Sequence, residues 1–74
     1  MDVQKERPMA DEVRWTWMVK DSKGEVVAQG SVIRRKTPIV GDRFLDSEID
    51  ARFLILEVRK MAEKSYLLTV QFVD

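Results

Sequence analysis

The run Val13-Arg14-Trp15-Thr16-Trp17-Met18-Val19-Lys20 places Val13, Trp15, Trp17 and Val19 on one side and Arg14, Thr16, Met18 and Lys20 on the other. Successive side chains of an extended chain point to opposite faces, so this period of two predicts a half-buried strand carrying both indoles of the protein on one face. With 74 residues the chain holds one domain, which buries a smaller fraction of its surface than a larger one would. No cysteine is present to staple it and no histidine or cysteine to hold a structural metal, so side-chain packing must supply its stability, helped by self-association.

Asp21-Ser22-Lys23-Gly24 supplies turn formers, the glycine being free to adopt the positive φ that closes a hairpin. A second strand follows from Glu25 and returns antiparallel to the first. Its apolar residues change parity between Val26, Ala28 and Ile33, and Gly30-Ser31 interrupts them, so a bulge is expected near Gly30. Pro38 biases the residues before it towards extended geometry, and Gly41-Asp42 reads as a turn leading to a third short strand at Phe44. The stretch Pro38-Ile39-Val40-Gly41-Asp42 resembles the Pro-x-Val-Gly-Asp lead-in to a strand found in SH3-like and other small barrels. That five-residue resemblance implies a fold class and no function.

No glycine or proline occurs after Gly41, so residues 47–64 have two readings. Ser47 with Asp50 resembles a helix-capping box, which would give a β-sheet with one packed helix. On a helical wheel, however, Phe53, Leu54, Ile55, Leu56 and Val58 point nearly all round the axis, and the strand reading is preferred. The last segment, Tyr66 to Val73, alternates with Tyr66, Leu68, Val70 and Phe72 inward. Pairing Lys60 with Tyr66 sets Val58 opposite Leu68, Leu56 opposite Val70 and Leu54 opposite Phe72, making one hairpin face wholly apolar. The expected fold is mainly β: a five-stranded antiparallel meander or SH3-like, partly open barrel over residues 13–74, preceded by a flexible, solvated tail at 1–12.

The composition removes whole classes of chemistry. Without histidine there is no imidazole base or ligand, and without cysteine no thiolate nucleophile. Three isolated glycines, Gly24, Gly30 and Gly41, cannot build a phosphate-cradling loop. Asp42, Asp46, Glu48 and Asp50 are candidate oxygen ligands for a hard cation or acids for catalysis, but they lack the spacing of a calcium loop and read more simply as a solvated acidic connection. No catalytic residue, cofactor or metal site is therefore expected, and no small-molecule substrate is evident. The amino terminus has no apolar run resembling a signal or membrane anchor, and the lack of thiols is compatible with the cytoplasm, the default localisation.

Two surfaces are candidates for contact. Phe53, Ile55, Leu67 and Val73 fall on the second face of the predicted hairpin, where a contiguous apolar patch calls for cover by the tail or, the preferred reading, by a protein partner or a second copy of the chain. Arg34, Arg35 and Lys36 end the second strand, and in a meander they would neighbour Arg59, Lys60 and Lys64, with the acidic residues at the opposite end. Although net charge is zero, that separation would create a basic end suited to an acidic partner or to nucleic acid. Trp15 and Trp17 would serve as stacking platforms for bases if exposed, and as core if not. The leading expectation is a non-catalytic interaction or assembly module. A nucleic-acid-binding barrel is the alternative, and a carboxylate-based enzyme or cation-binding protein the third.

Overall fold

The structure, a computed structural model, describes residues 12–73, and all of the expected tail at 1–12 except its last residue lies outside them. Five strands follow in order: β1 (Val13–Lys20), β2 (Val26–Arg34), β3 (Arg43–Asp46), β4 (Ala51–Ala62) and β5 (Ser65–Val73). There is no helix among the described residues, so the packed-helix alternative is overturned: residues that would crowd every side of a helix alternate along β4 instead. The turns form where the side chains favour them. Gly24 takes φ +84°, and Asp21 Oδ1 accepts from the backbone N–H groups of Lys23 and Glu25 at 2.8 and 3.0 Å. Gly41 takes φ +95°, and the N–H of Asp42 donates to the carbonyl of Ile39 at 3.1 Å, closing the turn after the buried Pro38.

The strands do not run as a meander. Their order in the sheet is β2-β1-β5-β4-β3, and β1 pairs parallel with β5, Trp15 beside Tyr66 and Trp17 beside Leu68. The sheet is thus mixed, and β2 and β3 form its two edges rather than pairing with each other. The inward face of β1 is buried, and closing it on both sides requires a second neighbour, which the apolar alternation of β5 supplies.

A bulge in β4 decides which of its side chains face the core. The β4–β5 hairpin keeps the predicted register from Lys60–Tyr66 to Val58–Leu68, then shifts at Leu56, so that Ile55 meets Val70 and Phe53 meets Phe72. One extra residue exchanges the two faces beyond it. Phe53 and Ile55 are therefore core, 0% and 1% exposed, whereas Leu56 is 45% exposed. On β2 the irregularity lies at Val27 rather than near Gly30, because Val19 pairs with Ala28 and Lys20 with Val26.

Gly30 has a different role. A Cβ there would sit 2.6 Å from Cζ2 of Trp17, so the indole lies directly across the backbone of β2. Trp15, Trp17, Val19, Phe44, Phe53, Ile55, Leu68 and Val70 form one cluster, with Trp15 edge-on to Phe44 at 5.4 Å and Trp17 tilted against Phe53 at 4.4 Å.

Candidate interaction surface

The curl of the sheet is held by side chains that reach between its ends. Trp17 Nε1 donates to Asp46 Oδ2 at 3.0 Å, linking β1 to β3, and Asp46 Oδ1 accepts from the N–H of Glu48 at 3.1 Å. Asp46 is only 3% exposed, and these two donors serve both its oxygens. Arg34, on the edge strand β2, donates from Nη2 to the carbonyl of Leu45 on the edge strand β3 at 2.6 Å and from Nη1 to the carbonyl of Ile33 at 3.0 Å. Trp15 Nε1 ties the connection between them by donating to the carbonyl of Lys36 at 3.1 Å. The result is a half-barrel whose seam is spanned by a guanidinium and an indole and not by a backbone ladder.

An open groove of about 230 Å³ runs along that seam, with Ser31, Val32, Ile33 and Arg34 on one side and Asp46, Ser47 and Glu48 on the other. This corrects the expected separation of charge. Acidic residues at the β3–β4 turn meet the end of β2 because the curled sheet carries β3 over to it, which a flat meander would not do.

The remaining basic residues do share an end. Val13 pairs with Arg34 and Arg14 with Ser65, and the N–H of Arg14 donates to the carbonyl of Lys64 at 2.9 Å. The start of β1 therefore lies between Arg34–Lys36 and Lys64, and Lys60 pairs with Tyr66 nearby. Arg14 belongs to this basic end, a placement that depends on the parallel β1–β5 pairing. Arg59 stands opposite Leu67 as expected.

The apolar hairpin patch does not survive as a unit. Phe53 and Ile55 are enclosed, so neither reaches a partner. Leu67 is half-buried in a shallow depression on the outer face among Met18, Lys20, Glu57, Arg59 and Thr69, whose charged and polar groups break up the apolar surface. Val73 lies opposite Arg52, beside Arg43 and Leu45. Both indoles are buried, 1% and 2% exposed, so neither is a stacking platform for a base.

Apolar surface appears elsewhere, above all on β2. Val26, Val27 and Ile33 are 46%, 59% and 44% exposed on a strand whose outer edge has no partner. Nothing in the residues themselves marked β2 as an edge, although its sequence, VVAQGSVIR, has no charge before Arg34. The other edge is unlike it: β3 has four residues, RFLD, bounded by charges. Short, charged edges resist pairing with other chains, and long uncharged ones invite it. Among the described residues, no group of three or more acidic side chains is gathered to hold a metal ion, and no helix is long and apolar enough to cross a membrane. No protein-family model matches the chain, and the comparisons with curated proteins and with solved structures found no match either.

Proposed function

We propose that the protein is a non-catalytic interaction module that takes up an extended segment of a protein partner along β2. The observation that carries this reading is the nine-residue β2, an unpaired edge with three exposed branched apolar side chains and no charge before its last residue. Main-chain hydrogen bonds to such an edge provide affinity, and side chains alternating along it provide selectivity. The basic end, with Arg14, Arg35, Lys36, Lys60 and Lys64, would steer an acidic partner towards the molecule and make association faster at low salt. It also keeps nucleic acid as the rival reading, now without exposed indoles to stack on bases.

A library of random peptides selected against the immobilised protein, followed by amide NMR with the selected peptides, tests the proposal. Binders should shift the amides of Val26–Arg34 and carry apolar residues at alternate positions. The same spectra recorded with single- and double-stranded oligonucleotides should show no response at moderate salt. Failure to select peptides, together with salt-sensitive shifts at Arg14, Arg35, Lys36 and Lys60 on adding oligonucleotide, would replace this reading with its rival.

A further inference from the structure

We infer that the outer face of the sheet where β3, β4 and β5 meet binds an acidic segment of another protein, one that carries an apolar side chain between its carboxylates. This surface belongs to the opposite end of the strand order from β2 and does not rest on the reading of that edge. Register places its residues. Arg43 pairs with Leu54 and Leu45 with Arg52, while Gln71 and Val73 on β5 stand opposite Leu54 and Arg52, so all of these side chains share the face turned away from the core. The residues between them, Phe44, Phe53 and Phe72, point the other way, with Phe53 packed against Phe44 at 5.4 Å and against Phe72 at 5.1 Å.

Arg43 and Arg52 thus occupy diagonal positions on neighbouring strands, close enough for both guanidiniums to reach one ligand. Both are exposed, and neither bonds to another described residue, whereas the guanidinium of Arg34 is taken up by two backbone carbonyls. Asp50 lines the adjoining depression with Arg52 and forms no ion pair with it. Between the two arginines an open depression of about 210 Å³ is walled by Phe44, Leu45 and Val73. Leu45 is 43% exposed there, so an apolar group entering between the cations would cover it. The rest of the outer face has the same sign. Arg14, Lys20 and Arg59 also point outward, and of the acids within the strands Asp46 points inward, leaving Glu57 to accept from the Thr69 hydroxyl at 3.4 Å. Arginine beside apolar surface suits carboxylates, which it grips through paired N–H groups. The face has no aromatic side chain on which a base would stack, and apolar residues separate its cations, so an acidic protein segment fits it better than a nucleic acid.

Amide NMR of the full chain tests this surface with three probes: the end-blocked peptide Glu-Glu-Leu-Glu-Glu, its counterpart with glutamine in place of glutamate, and oligothymidylate. The glutamate peptide should bind at millimolar concentration, shifting amides of residues 43–45, 52–54 and 71–73 by amounts that shrink as salt rises, and the glutamine peptide should not. Arg43→Glu and Arg52→Glu, exposed positions whose side chains have no described partner to lose, should each weaken binding at least five-fold, and Leu45→Ser at least two-fold. Lys60→Glu makes the same change in net charge at the far end of β4 and should weaken it less than two-fold. The inference is overturned by an absence of shifts at millimolar peptide, by shifts centred on Lys60 and Lys64, by indifference to both arginine changes, or by oligothymidylate moving the same amides as strongly as the peptide. Peptides that dock on β2 shift Val26–Arg34 instead, so the two surfaces are read separately in the same spectra.

Discussion

At the scale of single residues, the fold turns on how β1 places its indoles. Their position on one face was legible in the alternation of residues 13–20, whereas the sequence left open whether that face is core or a stacking surface, and the structure makes it core. Their polar ends were not legible, because the acceptors, Asp46 and the Lys36 carbonyl, are 29 and 21 residues away in sequence. Asp46 looked like part of an acidic connection, yet it is buried and serves as the acceptor that lets Trp17 lie deep in the core. Gly30 is the complement of Trp17: the indole crosses β2 only because no side chain stands there. Gly30→Ala should therefore lower stability by about 1–3 kcal/mol through overpacking, measured by urea denaturation. Gly24→Ala, whose added Cβ meets nothing, would suffer only from its positive φ, and serves as the comparison. Equal stability of Gly30→Ala and the parent would mean that Trp17 does not lie across β2.

At the scale of elements, the β1–β2 and β4–β5 hairpins and the Gly41 turn could be read from turn residues and alternating pattern, because these are local signals. The face presented by β4 could not. The bulge at Leu56 has no glycine or proline to announce it, and every residue from Phe53 to Leu56 is apolar, so either face of the strand would have satisfied the pattern. That single insertion moved Phe53 and Ile55 from a supposed interface into the core and brought Leu56 out. Ile55→Ala is thus expected to cost about 2–5 kcal/mol, and Leu56→Lys to stay within about 0.5 kcal/mol of the parent. The reverse order of sensitivity in denaturation midpoints would restore the unbulged register.

At the scale of the whole molecule, the order of the strands was the least legible feature. Local pattern specifies hairpins, whereas the parallel pairing of β1 with β5 brings together residues some fifty positions apart, and it is this pairing that leaves β2 and β3 at the edges. The candidate surface follows from that topology. The uncharged character of residues 26–33 was present in the sequence, but it acquires meaning only once β2 is known to be unpaired on one side. The chain's charges are likewise redistributed, with the acidic turn carried onto the seam beside Arg34 and the remaining basic residues gathered around the start of β1. What joins the two edges is side-chain contact, so no backbone ladder runs between β2 and β3 and the half-barrel stays open along its seam.

The most direct measurement is amide hydrogen exchange along β2 in dilute protein. An open edge leaves every second N–H of Val26–Arg34 without a backbone partner, so slow and fast amides should alternate along β2 while the central residues of β1 and β5 are protected throughout. Uniform protection of β2 in dilute protein would contradict the open edge, showing that the chain covers that strand itself.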